Sequence, residues 1–288
     1  MNRPPVVAVL MTCHNRREKT LRALHALRGQ CGLPPGCEVR VHLVDADSRD
    51  GTPQAVAEHF PEVAVVPAGD DVFWNAGMRI AADHALAAGP ADYLLWLNDD
   101  VELDAGALAL LLTTATAQEA PAVAVGATRS RRTGTTTYSG HRLHRRGLRP
   151  RTLTLVEPGR APLACDTCNG NAVLVPAEVH RRLGGLDPAF SHGMGDFDFG
   201  FRASRAGCTL AVAPGHIGFC ESNPPLRGSR EPGLGLREAL RRVASRRELP
   251  PREWWVYCRR HHGAWALPIF CSPYARTALR ALRARWAG

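Results

Sequence analysis

The stretch Tyr93-Leu94-Leu95-Trp96-Leu97-Asn98-Asp99-Asp100-Val101-Glu102 opens with five consecutive apolar or aromatic residues and then breaks abruptly into Asn98, Asp99 and Asp100. An apolar run of that length without alternation marks a strand buried on both faces. Two adjacent acids at the tip of such a strand are costly unless positive charge meets them. A hard divalent cation takes oxygen ligands and then binds phosphate oxygens on its open side, so the chemistry points to a metal site for a phosphorylated ligand. The competing reading makes Asp99 or Asp100 a cap for the next helix. Asp104 stands closer to the apolar helical repeat of Leu108, Leu111 and Leu112 and is expected to take that role.

The chain before this stretch repeats one unit. Val6-Val7-Ala8-Val9-Leu10-Met11 reads as a first buried strand running into Thr12-Cys13-His14-Asn15; Asn15 and Glu18 have the spacing of a capping box, and Leu21, Leu24 and Leu27 recur at helical spacing. Val39, Val41 and Leu43 alternate into Val44, then Asp45-Ala46-Asp47-Ser48-Arg49-Asp50-Gly51 turns and Thr52-Pro53 starts a helix. A third short strand over residues 63–66 leads to Asp70, Asp71, Trp74 and Asn75 and a helix through Ile80, Ala81 and Ala85. Strands alternating with helices predict a parallel sheet with right-handed crossovers, and in such sheets ligands sit at the carboxyl ends of the strands. The polar loops 12–15, 45–50, 70–75 and 98–100 should therefore gather at one edge. Neither a GxGxxG nor a GxxxxGK[ST] cradle is present, which argues against a nicotinamide dehydrogenase and a P-loop enzyme.

After a further strand at Val123-Ala124-Val125-Gly126, residues 127–160 are rich in Arg, Thr and Gly and predict a hairpin or mobile loop flanking the cleft. Cys165-Asp166-Thr167-Cys168 is a lone CxxC without a second pair or a thioredoxin-like context, a weak signal for zinc, and a strand follows at Ala172-Val173-Leu174-Val175. In Gly195-Asp196-Phe197-Asp198-Phe199-Gly200-Phe201-Arg202 two acids flank aromatics just ahead of a helix. A carboxylate in aromatic surroundings has a raised pKa, which suits a general base, and Asp196 is the candidate. Asp198 can equally pair with Arg202 one helical turn on.

Composition narrows the class. The chain has 288 residues, 45% of them hydrophobic, enough for one sizeable core. Nine cysteines, an odd number, and a first apolar run too short for a signal lead us to expect reduced thiols in a cytoplasmic protein. No apolar stretch approaches the roughly 18 residues of a membrane span. Of 36 basic residues only Lys19 is lysine, and the net charge of +9 comes without a nucleic-acid recognition motif, so no nucleic-acid partner is expected. The tail from residue 227 on sets Leu236, Leu240, Val243, Leu279, Leu282 and the tryptophans Trp254, Trp255 and Trp286 among arginines at helical spacing. Such basic amphipathic helices can lie on an anionic membrane surface, pack on the catalytic domain, or pack on a second copy in a homodimer.

Taken together, the strand ending Thr12-Cys13-His14-Asn15, the Asp45-to-Thr52 turn, Leu97-Asn98-Asp99-Asp100, and Gly195-Asp196-Phe197-Asp198 with Arg202 resemble a family 2 glycosyltransferase of the GT-A fold over roughly residues 5–220, most of all its bacterial rhamnosyltransferase-like members. The resemblance implies an α/β, Rossmann-like fold with a mainly parallel central sheet, flanking helices and a helical C-terminal tail. It implies a domain over 1–225, with a nucleotide-sugar half (1–126) and an acceptor half (127–225), and a basic extension over 226–288. The implied reaction is inverting transfer from a nucleoside diphosphate sugar to a hydroxyl of a saccharide, lipid-linked or small-molecule acceptor, in cell-surface polysaccharide synthesis on the cytoplasmic side or at the inner membrane face.

Carried over by position, the resemblance puts Thr12, His14, Asn15, Asp45, Asp47, Trp74, Asn75, Asn98 and Asp99 around the donor, with Trp74 equally readable as a core aromatic. Asp100 with Asp99 would hold Mg2+ or Mn2+, with His216 as a weaker further ligand; Asn169, Gly170 and Asp198 would face the acceptor, and Asp196 would be the base. Asn98 stands where the first aspartate of the DxD metal motif is usual, and Gly195 where an acid commonly precedes the base. A sugar-phosphate nucleotidyltransferase would need a glycine-rich loop after the first strand, and residues 12–17 contain no glycine. A non-catalytic binding or scaffold role is the other alternative.

Overall fold

The protein is described from a computed structural model covering residues 3–117, 122–144, 152–222 and 228–286. Its N-terminal part alternates as read: β1 (Val6–Cys13), α1 (Arg17–Arg28), β2 (Glu38–Ala46), α2 (Thr52–His59), β3 (Ala64–Ala68), α3 (Trp74–Ala88) and β4 (Tyr93–Leu97). β1 lies between β2 and β4, parallel to both, and β2 pairs in parallel with β3. β1 is thus the point where the winding of the sheet reverses, and the ends of β1 and β2 are level, with Cys13 opposite Asp45.

The strands are buried on both faces, which is why their sequences do not alternate. Val7, Val9 and Met11 of β1 belong to one core with Leu24 of α1 and Leu95 and Leu97 of β4, while Ala8 and Leu10 belong to another with Met78 of α3 and Leu94 and Trp96 of β4. Next come β5 (Glu102–Leu103), α4 (Ala107–Thr116), β6 (Ala122–Arg129), β7 (Thr136–Tyr138), β8 (Gly140–His144), β9 (Thr152–Leu155), β10 (Leu163–Ala164), β11 (Thr167–Cys168), β12 (Ala172–Pro176), α5 (Ala177–Leu183), α6 (Gly195–Arg205) and β13 (Thr209–Phe219). The sheet order is β10-β13-β6-β12-β4-β1-β2-β3, with β12 antiparallel between β4 and β6 and β13 parallel to β6. The expected hairpin is β8 and β9, which form a small antiparallel sheet with β11; residues 145–151 of that stretch lie outside the described residues. The tail folds as α7 (Leu236–Val243), α8 (Pro251–His261) and α9 (Ala266–Trp286), and the domain boundary expected at residue 225 also falls outside the described residues.

Several expected helix caps are replaced by contacts from other elements. α1 has Arg16 at its N-cap with no side-chain bond, because Asn15 adopts a left-handed conformation (φ 51°) and its Oδ1 accepts the Arg49 amide at 2.7 Å. Gln30 Oε1 accepts the Leu108 amide of α4 at 2.8 Å, while Asp104 pairs with Arg129 instead. Asp50, one residue before the N-cap of α2, accepts both the amide and the hydroxyl of Thr52. The CxxC cysteines are core residues: Cys165 and Cys168 are buried free thiols, and burial pushes Cys165 up to about 12.

Candidate active site

The loops after β1, β3 and β4 and the end of β2 meet at the carboxyl edge of the sheet and wall a cleft of about 400 Å³. Thr12, His14, Trp74, Asn98, Asp99, Gly170 and Asp196 line it. His14 donates from Nδ1 to the Ala46 carbonyl at 2.6 Å and accepts from Asn15 Nδ2 at its other ring nitrogen, so the β2 loop fixes its tautomer. The Trp74 indole donates to Asn98 Oδ1 at 2.7 Å, tying the start of α3 to the tip of β4. Asn98 is therefore spoken for as a hydrogen-bond acceptor, a job an amide oxygen does without importing charge beside Asp99.

Asp196 sits in the first turn of α6, half-buried in the cleft wall. Its Oδ2 accepts the Gly170 amide and its Oδ1 the Phe197 amide, both at 2.9 Å. Burial raises the pKa of this carboxyl, and the Gly170 and Phe197 amides pull it partly back. Two glycines make the geometry fit. A Cβ on Gly195 would lie 1.8 Å from Asn75 Oδ1, which explains why no acid precedes Asp196. A Cβ on Gly170 would meet the Trp74 ring at 2.4 Å. We predict that Gly170→Ala overpacks this contact at a cost of about 1–3 kcal/mol, lowers the melting temperature by several degrees and weakens nucleotide binding; calorimetry of both unfolding and binding checks it, and an unchanged Tm would place Trp74 elsewhere.

Asp99 and Asp100 diverge from the tip of β4. Asp99, 5% exposed, faces the cleft, and Arg16 Nη1 bridges it (3.0 Å) to Asp100 (3.1 Å). Burial pushes the Asp99 carboxyl up to about 6 against the pull of Arg16, with Asp100 adding to the rise. Asp100 turns toward Lys19 at 3.5 Å and accepts from the Cys220 thiol, in a separate small depression shared with Arg22, Glu102 and Arg131. Among the described residues no group of three or more His, Cys, Asp or Glu side chains converges as a self-sufficient cation cage. A nucleotide-associated Mg2+ or Mn2+ asks for less, since one or two carboxylates plus substrate phosphates complete its shell; of the two acids only Asp99 presents its carboxylate to the cleft, whereas Asp100, expected as the main ligand, faces the neighbouring depression.

Other expected site residues lie elsewhere. Asn75 is fully buried and donates to the Asp187 and Phe190 carbonyls, bracing the loop before α6. Asp45 is buried in its own turn, accepting from the Ser48 amide and the Cys13 thiol, and Asp47 pairs with Arg49 at the surface. His216 meets Thr136 Oγ1 at 2.8 Å, beside Glu157, and does not line the cleft. Asn169 is held through its amide to Ser139 O and does not line it either. Asp198, expected on the acceptor side, is completely buried on α6 and bonded to Arg202, Arg260 and His261; two residues from Asp196, the helix turns it to another side. The sequence reading missed Arg16, His192 and Arg247, all in the cleft wall. Arg16 abuts the quoted Thr12–Asn15 motif and was within reach of it, whereas Arg247 arrives from the tail and carries no local signal.

The model of glycosyl transferase family 2 matches residues 8–173. The N-acetylglucosaminyl-diphospho-decaprenol L-rhamnosyltransferases of two Mycobacterium tuberculosis strains, CDC 1551 / Oshkosh and ATCC 25618 / H37Rv, are each 26% identical over 246 residues, covering 73% of this chain and 73% of theirs. Among solved structures, the mannosyltransferase PcManGT of Pyrobaculum calidifontis in complex with GDP-Man and Mn2+ superposes with a TM-score of 0.57 at 16% identity, covering all of this chain and 76% of that one. GalNAc-T7 with UDP, GalNAc and Mn2+ gives a TM-score of 0.59 at 16% identity over 96% of this chain and 55% of that one, a likeness of fold. With more than half of its length inside the family match, and with a sheet that follows the GT-A pattern, this chain belongs to glycosyl transferase family 2.

Proposed function

We propose that the enzyme transfers a sugar with inversion from a nucleoside diphosphate sugar to an acceptor hydroxyl, with Asp196 as general base. The observation that carries this reading is the Asp196 carboxylate in the wall of the cleft, anchored at each oxygen by a backbone amide and raised in pKa by burial. Each oxygen keeps acceptor capacity beyond its one amide, so the group can take the proton of a hydroxyl that attacks the anomeric carbon from the face opposite the diphosphate. The new bond forms from the hydroxyl oxygen, the bond to the diphosphate breaks, and the proton rests on Asp196.

Thr12, His14, Trp74 and Asn98 supply the polar and aromatic wall for the nucleotide and sugar, and Arg16 and Arg247 bring cations that suit a diphosphate. Asp99, the acid in the cleft wall, would hold Mg2+ or Mn2+, which when bound offsets charge on the leaving diphosphate; the Mn2+ of the fold neighbours supports use of a divalent cation. The rhamnosyltransferase relatives support a lipid-linked saccharide as acceptor.

Calorimetric titration with UDP, dTDP and GDP, each with Mn2+ and with EDTA, tests the donor site. One nucleotide should bind with Mn2+ and lose at least about tenfold in affinity in EDTA, as expected for a cation that adds more than about 1.4 kcal/mol. Failure of all three to bind would remove the donor site; equal binding in EDTA would remove the metal.

A further inference from the structure

The tail holds a second charged cavity that sugar transfer does not use. Between α7 and α9 a space of about 390 Å³ is walled by Arg230, Arg276, Arg280 and Arg283, with Leu279 among them. The acid in that wall, Glu248, already accepts the amide and hydroxyl of Ser229, each at 2.7 Å. Arg280 donates to the Arg276 carbonyl and to Thr277 Oγ1, neither an anion, and among the described residues no carboxylate pairs with any of the four arginines. Four guanidinium groups around the single carboxylate of Glu248 leave a net positive charge, which suits phosphate-like anions.

Two further observations say where such anions lie. Residues 228–288 contain thirteen arginines and four glutamates, whereas residues 1–227 hold twenty-three basic and twenty-three acidic residues, so the whole net charge of +9 resides in the tail. The exposed large apolar side chains among the described residues, Leu236, Trp255, Trp265, Leu267, Leu279 and Leu282, are all in the tail as well. Leu279 follows Arg276 by three residues and precedes Leu282 by three and Arg283 by four, so apolar and basic groups share one surface of α9. No described helix is long and apolar enough to cross a membrane, so α9 would lie along a bilayer.

We propose that this face of α7 and α9 docks on an anionic phospholipid bilayer, with lipid phosphates in the arginine cavity and Leu279, Leu282, Leu267 and Trp265 in the interfacial apolar layer. Charge excludes a second tail as the natural occupant. Two copies would face each other with the same excess of arginine, and the four glutamates are engaged at home, Glu231 and Glu238 with arginines and Glu248 and Glu253 with serines. Nucleic acid would satisfy the arginines and leave the leucines in water, whereas a bilayer surface satisfies both. The same tail places Arg247 in the wall of the catalytic cleft, so docking holds that cleft beside the lipid surface.

Flotation of the full-length protein with vesicles tests the proposal. The native chain should float with phosphatidylcholine vesicles containing phosphatidylglycerol, should not float with phosphatidylcholine alone, and should be released by high salt. Each arginine near an anionic surface contributes roughly fivefold in partitioning, so R276Q/R280Q/R283Q should partition about 100-fold less, and L279S/L282S should also weaken binding. Both variants lie outside the catalytic cleft and should keep the native circular dichroism and nucleotide titration. Equal flotation on neutral vesicles, no flotation of the native chain on either, or a dimer in solution that L279S/L282S dissociates would each overturn the proposal.

Discussion

Asp196→Asn is expected to lower transfer by about 10²–10⁴-fold while donor binding stays within a few fold of native, because a positioned base contributes about that much to turnover. The structure adds a second, smaller consequence. Both carboxylate oxygens accept backbone amides, from Gly170 and from Phe197. Asparagine has one oxygen, so one amide loses its acceptor at a cost of about 1–3 kcal/mol, and the melting temperature should fall by several degrees. Steady-state kinetics separate the two effects: loss of the base appears in kcat, loosening of the Gly170 loop in KM. The native enzyme should also show an acid limb in its kcat profile, with activity falling as pH drops through a value above the ordinary aspartate range, since burial raises the pKa of the group that must be deprotonated. Native turnover in Asp196→Asn would reassign the base.

Asp198→Asn should produce the largest stability change. The side chain is completely buried and receives Arg202 Nε at 2.7 Å, Arg260 Nη1 at 3.1 Å and His261 Nε2 at 2.9 Å. Arg205 donates to His261 Nδ1, which leaves Nε2 as the ring's donor to the carboxylate. Burial alone would raise the Asp198 carboxyl; the bonds from His261 and Arg202, the Arg202 charge and the bond from Arg260 overcome it and hold the group at about 2. Neutralising it leaves the half-buried Arg202 without its counter-charge, while the more exposed Arg260 keeps Asp187 at 2.7 Å, at a cost of about 3 kcal/mol, or several degrees in melting temperature.

Because Arg260 and His261 belong to α8, the damage should centre on the tail, visible as faster proteolysis of the α8–α9 segment. The linkage has a definite sign. A folded-state pKa below the ordinary value near 4 stabilises the fold above about pH 4, by about 2 kcal/mol here, and that contribution disappears as pH falls through about 2. Asp198→Asn should flatten this acid dependence; an unchanged acid profile would mean that the network does not hold the helix.

The sequence alone determined the elements and the edge at which chemistry can occur. Buried runs such as residues 93–97 and helical repeats such as Leu24 and Leu27 are local patterns, and right-handed crossovers then leave few ways to order β1 through β4. Loops at the carboxyl ends of those strands must meet, and they do. What tertiary structure alone decided is direction. Asp99 and Asp100 are neighbours in sequence, yet one enters the cleft and the other turns to Lys19 and Cys220; Asp196 and Asp198 divide in the same way, one to the cleft and one to Arg260 and His261. Arg247 reaches the cleft from beyond α7, and Gln30 takes over the capping expected of Asp104. Each of these is set by partners dozens of residues away, whose approach depends on the packing of whole elements, and local periodicity holds no information about such partners.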